Sequence, residues 1–156
     1  MIREFVAQRK QSTELIVVDD GSADDTADLA EQFDMPFAKQ VIRLPHNQGK
    51  GAAVKAGMLA ARGELRLFSD ADLSTPLDEL DKLIRAIQGG ADVAIASRDL
   101  PGSMLDPPQP LHRRVVSRLF KALRKQVLLP RINDTQCGFK LFTRHAAEQI
   151  FPLLQT

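Results

Sequence analysis

The chain has 156 residues and a formal net charge of +1, and hydrophobic and charged residues make up 44% and 26% of it. These values are typical of one soluble globular domain, so we expect residues 1–156 to form a single domain. The one cysteine, Cys137, excludes an internal disulfide and favours a reducing compartment. We expect a cytoplasmic location, because no apolar run approaches the ~20 residues of a membrane span and residues 1–11 lack an apolar signal segment.

Apolar runs and helical patterns alternate along the first two thirds of the chain. The apolar runs predict buried strands at residues 15–18, 41–44, 65–68 and 93–96. The patterns between them predict helices at residues 24–33, 51–61 and 77–87, the first of them capped by Ser22. This alternation predicts an α/β fold with βαβ units, and the uniformly apolar runs predict a mainly parallel sheet with helices on both faces.

The sequence changes character after residue 98. Residues 100–110 contain four prolines and one glycine, which predicts a loop or lid. Residues 111–132 carry seven basic side chains and no acidic one, and residues 114–129 predict a basic amphipathic helix. This basic segment either contacts a phosphate-bearing partner or a membrane surface, or it is only a helix face exposed to solvent. A strand at residues 138–142 and a helix at residues 145–154 complete the prediction.

Aspartates directly follow two of the predicted strands. Asp19 and Asp20 end the first strand, and Asp70 and Asp72 follow the third. In an open α/β sheet, ligands bind outside the carboxyl ends of the strands, so these two acidic ends can converge on one crevice. Carboxylates spaced i, i+2 beside a turn suit a hard divalent cation. The alternative is that the acids only cap the helices that follow them.

A glycine-containing loop precedes the second predicted helix. Gly49, Lys50 and Gly51 follow Asn47 and Gln48, and the spacing of a Walker phosphate-binding motif is absent. Glycines before a helix allow backbone N–H groups to approach a phosphate, and a lysine adds a positive charge. Taken alone, the loop is more consistent with a simple helix N-cap.

Five motifs occur in an order that resembles one enzyme family. They are VVDDGS at residues 17–22, the loop at 47–51, SDAD at 69–72, ASR at 96–98 and DTQCGFK at 134–140. Together they resemble the family-2 inverting glycosyltransferases, and most of all the dolichyl- or polyprenyl-phosphate β-glucosyltransferases and mannosyltransferases. The resemblance spans about residues 13–151. It implies a three-layer, Rossmann-like α/β domain that binds nucleotide sugars, the GT-A fold.

The resemblance also implies how a nucleotide-sugar donor, UDP-glucose or GDP-mannose, is bound. Positions matching Asp19 and Asp20 contact its base and ribose, and those matching Asp70 and Asp72 bind ribose and a Mg²⁺ or Mn²⁺ ion that bridges the diphosphate. The loop of Gly49, Lys50 and Gly51 lies on the donor side as well.

On the acceptor side the family holds a dolichyl or polyprenyl phosphate. Arg98, Arg113 and Ser117 match the positions that hold the lipid phosphate. Asp134 is the candidate for a base or an orienting carboxylate, or it caps a loop. With a lipid acceptor implied, we expect the basic segment at residues 111–132 to contact the cytoplasmic face of a membrane. A nucleic-acid partner is not expected.

The chain departs from the family pattern at both ends. Relatives begin with a further strand that carries a Pro-x-Tyr/Phe-Asn-Glu segment, whereas residues 1–5 correspond to the helix after it, and relatives continue past residue 156. We therefore expect a partial domain whose first strand is missing. Two other functions stay open. One is transfer to a polysaccharide or protein hydroxyl, for which Asp134 would be indispensable, and the other is a non-catalytic nucleotide-sugar-binding remnant.

Overall fold

The computed structural model describes residues 1–9, 11–97 and 137–155. The predicted loop at 100–110, the predicted basic helix at 114–129 and the acceptor-side residues Arg98, Arg113, Ser117 and Asp134 lie outside these residues.

Five strands lie within the described residues, and each matches a run that the sequence predicts. They are β1 (Glu14–Asp19), β2 (Ala38–Arg43), β3 (Leu65–Ser69), β4 (Val93–Ile95) and β5 (Phe139–Thr143). β1 and β2 pair in parallel, with Glu14 opposite Ala38 and Asp19 opposite Arg43. β3 and β4 both pair antiparallel with β5, which lies between them.

Helices connect these strands and flank them. The described helices are α1 (Ile2–Ala7), α2 (Thr26–Gln32), α3 (Lys50–Ala60), α4 (Leu80–Gln88) and α5 (Arg144–Ile150). Short 3₁₀ turns at Leu77–Glu79 and Phe151–Leu153 precede α4 and follow α5. α5 is capped by the Thr143 hydroxyl, which accepts a hydrogen bond from the Ala146 N–H. α3 packs against both β1 and β3, so this helix bridges the two hydrogen-bonded sheets.

The core confirms three layers around β5, because alternate side chains of a strand point to opposite faces of its sheet. Phe139 and Leu141 pack toward α4, in a cluster with Leu83, Ala94 and Cys137. Phe142 packs on the other face with Met58 of α3, and with Ala147 and Phe151 beyond it. The α/β class is therefore confirmed, with helices on both faces of this sheet.

A buried arginine fixes β3 between its neighbouring helices. Arg66 is 5% exposed and donates hydrogen bonds to the backbone oxygens of Met58 and Gly63. Its guanidinium also binds the Glu148 carboxylate on α5 at 2.8 Å. Because the donors of this buried cation have partners on α3, on α5 and in the loop between α3 and β3, the strand that leads to Asp70 is held in place.

Three details differ from the prediction. Parallel pairing holds for β1 and β2, but β5 pairs antiparallel with both of its neighbours, because apolar periodicity predicts a strand without specifying its partner. The apolar residues of β1 are half-buried rather than buried, and among the described residues β1 pairs with β2 and with no other strand. Ser22 does not cap α2, whose N-cap is Asp25, because the Ser22 hydroxyl hydrogen-bonds to Asp19 instead.

Candidate functional site

The chain turns after β1, and the Asp19 carboxylate stabilises this turn. Asp19 is 8% exposed, and its two oxygens accept hydrogen bonds from the Ser22 N–H at 3.1 Å and from the Ser22 hydroxyl. The turn also brings Gly21 against the next loop, because a Cβ at Gly21 would lie 2.5 Å from the His46 carbonyl carbon. Gly21 has φ +71°, which independently favours glycine. Asp19 thus shapes the turn in this structure.

Asp20 connects β1 to the loop before α3. Its Oδ1 accepts a hydrogen bond from the Gln48 N–H at 2.8 Å, and its Oδ2 accepts one from the Gly49 N–H at 2.9 Å. Gly49 is the N-cap of α3 and has φ +90°, in the region that favours glycine. One carboxylate therefore fixes the backbone of the two residues that precede Lys50.

Lys50 joins this loop to the end of β3. It is the first residue of α3, and its ammonium lies 2.6 Å from Oδ1 of Asp70. The same ammonium lies 5.4 Å from the centre of the Phe68 ring, where a cation is attracted to the aromatic face. Asp20 and Asp70, which end different strands, thus meet the same short segment of chain.

Gly138 also contacts Asp70, through both the backbone and the carboxylate of that residue. The Asp70 N–H donates a hydrogen bond to the Gly138 carbonyl at 2.9 Å. A Cβ at Gly138 would lie 1.8 Å from Oδ2 of Asp70, so the carboxylate occupies space that any other residue would fill. The sequence shows Gly138 within the DTQCGFK motif, but site prediction from the sequence missed its role. A glycine as the first residue of the predicted strand at 138–142 was the available signal.

Asp72 lies in the turn after β3. The Leu73 N–H donates to the Asp70 carbonyl at 3.1 Å, and Leu73 has φ +49°, which is uncommon for a bulky residue. Oδ1 of Asp72 accepts a hydrogen bond from the Ser74 N–H at 3.0 Å, which forms an Asx turn. The side chain is exposed to solvent.

We tested whether these carboxylates fit a divalent cation. Within the described ranges, no group of three or more His, Cys, Asp or Glu residues could hold a metal ion. Asp70 and Asp72 nevertheless offer oxygen ligands at one strand end, and Mg²⁺ is commonly held by one or two carboxylates together with substrate phosphates. The two aspartates therefore fit a cation that is shared with a bound diphosphate.

Two charged groups next to α2 have shifted pKa values. Hydrogen bonds from the hydroxyl and N–H of Thr26 lower the pKa of Asp24, which is solvent-exposed before α2. Hydrogen bonds to Asp28 and Glu31 raise the pKa of the Arg43 guanidinium. The Arg43 ion pairs join β2 to α2, whereas the Asp24 hydrogen bonds lie within the turn into α2.

The structure thus brings together Asp20, Gly49, Lys50 and Asp70, with Gly51 in the first turn of α3 and Asp72 in the adjoining turn. The acceptor-side residues and the basic segment lie outside the described residues. In the part of the chain that the structure describes, no helix has the length and apolar character that crossing a bilayer requires.

An α/β fold with acidic strand ends gathered around a glycine–lysine loop is typical of open-sheet domains that bind ligands outside the carboxyl ends of their strands. The model of the glycosyl transferase family 2 matches residues 1–151, and the chain belongs to this family.

Relatives within the family carry names that are specific about their reaction. Dolichyl-phosphate beta-glucosyltransferase ALG5C of Trichomonas vaginalis is 43% identical over 148 residues, which cover 89% of this chain and 43% of that protein. Dolichyl-phosphate beta-glucosyltransferases of Saccharomyces cerevisiae and Homo sapiens are 36% and 35% identical, over 92% and 90% of this chain and 48% and 46% of their own length. The chain spans about half the length of the curated relatives it matches.

Proposed function

We propose that this chain takes part in transferring glucose from a nucleotide sugar, UDP-glucose, to dolichyl or polyprenyl phosphate, with inversion at the anomeric carbon. The observation that carries the proposal is the Lys50–Asp70 contact, in which the lysine that begins α3 meets the carboxylate that follows β3. Family membership and the names of the relatives supply the reaction class. GDP-mannose is the second donor to test.

The donor half of the proposed site is formed by the two strand ends and the loop between them. Asp20 holds the Gln48 and Gly49 amides and so fixes the backbone before Lys50, which supports the proposal that Lys50 contacts the donor's diphosphate. A lysine ammonium binds phosphate as a flexible point charge. Asp19 and Asp20 are proposed to adjoin the base and ribose. Asp19 also accepts a hydrogen bond from Ser22 in its own turn, and Asp20 accepts one from Gly49 in the loop before α3.

The proposed metal is Mg²⁺ or Mn²⁺, held by Asp70 and Asp72. When bound there, it would neutralise charge on the departing nucleoside diphosphate. The Asp70 carboxylate is positioned for this role by Gly138 behind it, while Asp72 is exposed at the surface of the same turn. Both aspartates follow β3, so the strand fixes where their backbone lies.

The proposed acceptor is a phosphate monoester, and its chemistry explains why the site has no need of a strong base. The second pKa of such a group is about 6, so it is mostly a dianion at neutral pH. One of its oxygens can form the bond to the anomeric carbon while the bond from that carbon to the donor's diphosphate breaks. Arg98, Arg113 and Ser117 are proposed to hold this phosphate, and Asp134 to orient the acceptor.

A lipid acceptor implies that the protein works at a membrane surface. The seven basic residues between 111 and 132 are proposed to contact anionic lipid at the cytoplasmic face, each contributing about 1 kcal/mol near the surface. Sedimentation with vesicles that contain or lack anionic lipid tests this contact directly, and equal binding to both would contradict it.

The test of the reaction is sugar transfer from labelled UDP-glucose to polyprenyl phosphate in detergent, with GDP-mannose in a parallel reaction. We expect glucosyl transfer that requires Mn²⁺ or Mg²⁺ and yields a β-linked lipid product. Transfer from GDP-mannose alone would replace the donor assignment. Nucleotide binding without any transfer would favour the non-catalytic alternative.

A further inference from the structure

The Asp70 carboxylate is already paired with a positive charge, the ammonium of Lys50. The Lys50 ammonium lies 2.6 Å from Oδ1, while Oδ2 is packed against Gly138, where a Cβ would be only 1.8 Å away. Lys50 therefore contacts Oδ1, which is the carboxylate oxygen of Asp70 that lies farther from Gly138, at 2.6 Å from the same Cβ position.

We propose that the Lys50 ammonium and a divalent cation compete for Asp70, and that Lys50 moves to the donor's diphosphate when the cation binds. This inference rests on the proposed function, since it assumes that Asp70 is a metal ligand. It gives Lys50 the role of a positioning residue. The ammonium pairs with the Asp70 carboxylate before the cation binds, and with the donor's diphosphate afterwards.

Distance and charge make simultaneous binding unfavourable. A Mg²⁺ ion binds a carboxylate oxygen at about 2.0–2.1 Å, which would place it within a few ångströms of an ammonium on the same oxygen. Like charges that close repel each other even when water screens them. Turning Asp70 to offer Oδ2 is obstructed, because that side of the carboxylate lies against the Gly138 backbone.

Lys50 can move without disturbing the fold. Its side chain is 62% exposed, and it reaches Asp70 through a flexible four-carbon stem. The backbone on its N-terminal side stays fixed, because Asp20 binds the Gln48 and Gly49 amides independently of where the ammonium lies. An exposed ion pair of this kind is weak, so a metal ion can displace the lysine at modest cost.

The test is a Mn²⁺ titration by calorimetry without nucleotide, comparing the parent chain with Lys50→Met. Removing the competing charge should tighten Mn²⁺ binding roughly threefold to tenfold. With Mn²⁺ near saturation, the same variant should bind UDP more weakly, because the diphosphate loses its ammonium partner. Lys50→Arg, which keeps the charge, should bind Mn²⁺ much as the parent does.

Lys55→Met is the matched control, since Lys55 lies on the same helix but donates to the Leu154 carbonyl. Its Mn²⁺ affinity should equal that of the parent. An Asp70→Asn background should abolish the gain from Lys50→Met, which separates competition for Asp70 from a general effect of charge. Far-UV circular dichroism and thermal unfolding confirm that each variant is folded, and Lys50→Gln replaces Lys50→Met if that variant is not.

Two outcomes overturn the inference in distinguishable ways. Equal Mn²⁺ affinity of the parent and Lys50→Met would refute the competition while leaving the metal site intact. Failure of both proteins to bind Mn²⁺ without nucleotide would refute the competition alone, and UDP binding that is also independent of Mn²⁺ would refute the proposed metal role with it.

Discussion

The carboxylate of Asp70 lies against the α-carbon of Gly138, and the Asp70 N–H donates to the Gly138 carbonyl at 2.9 Å. This contact follows from the register of two antiparallel strands, in which Ser69 at the end of β3 is opposite Phe139 at the start of β5. Asp70, which follows β3, therefore meets Gly138, which precedes β5. The position of the proposed metal ligand thus depends on a segment far away in the sequence.

Gly138→Ala should move Asp70 and weaken metal-dependent nucleotide binding. The new Cβ would lie 1.8 Å from Oδ2, so the carboxylate must turn away or the strands must shift. We expect roughly tenfold weaker Mn²⁺-dependent UDP binding by calorimetry, and a loss of about 1–3 kcal/mol of stability from overpacking.

The matched control is Gly89→Ala, at the C-cap of α4, where φ is −77° and the nearest atom is 3.3 Å from the Cβ position. Gly89→Ala should leave nucleotide binding unchanged. Parent-like binding by Gly138→Ala would show that the Asp70 position is unimportant for the donor.

Asp20→Ala should loosen the loop that presents Lys50. The variant loses two hydrogen bonds from backbone amides to a carboxylate, at 2.8 and 2.9 Å. We expect a loss of about 1–2 kcal/mol in the free energy of unfolding, which corresponds to roughly 3–6 °C in the melting temperature. Differential scanning fluorimetry gives this shift, and urea unfolding gives the free energy.

Asp34→Ala, at an exposed position, serves as the control for removing an acidic side chain. Asp20→Asn, which keeps one acceptor oxygen, should lie between the parent and Asp20→Ala. If Asp20→Ala is as stable as the Asp34 control, the two hydrogen bonds contribute nothing to the fold.

Asp72→Asn should abolish Mn²⁺-dependent nucleotide binding with little change in stability. An asparagine oxygen can still accept the Ser74 N–H and keep the Asx turn, but it lacks the charge that a divalent cation prefers. Calorimetry with UDP and Mn²⁺ measures the loss, and Asp78→Asn, also exposed, is the control. Undiminished binding by Asp72→Asn would remove this residue from the metal site.

Arg113→Ala should impair sugar transfer and leave donor affinity unchanged, because Arg113 belongs to the proposed acceptor side. Losing a charge-assisted contact to phosphate should cost about 1.5–3 kcal/mol. Arg113→Lys should recover only part of the loss, since an ammonium lacks the guanidinium fork. The assay is transfer to limiting polyprenyl phosphate, and equal activity of the parent and Arg113→Ala would remove this residue from the acceptor site.

Strands and helices could be predicted from the sequence because they depend on local patterns. The strand predicted at residues 65–68 corresponds to β3 at Leu65–Ser69. The helix predicted at residues 51–61 corresponds to α3 at Lys50–Ala60. Pairing could not be predicted in the same way, because the antiparallel position of β5 depends on contacts between distant segments. The half-burial of β1 likewise depends on which strands flank it, which its own residues do not reveal.

The sequence predicted several residues that the structure brings close together, but it did not predict their contacts. Acidic strand ends and a glycine–lysine loop are visible as patterns, and the structure brings Asp20, Lys50 and Asp70 together. The partner of each charged side chain depends on tertiary contacts. Sequence alone could not show that Asp19 binds Ser22 or that Gly138 makes room for Asp70.

We propose that Asp20, Lys50 and Asp70 form the donor half of a metal-dependent glycosyltransferase site. Titration of the chain with UDP and GDP by calorimetry, with and without Mn²⁺, is the decisive experiment. We expect UDP to bind only when Mn²⁺ is present, and Asp70→Asn to lose that binding while remaining folded. Binding of neither nucleotide, or binding that is independent of both Mn²⁺ and Asp70, would contradict the claim.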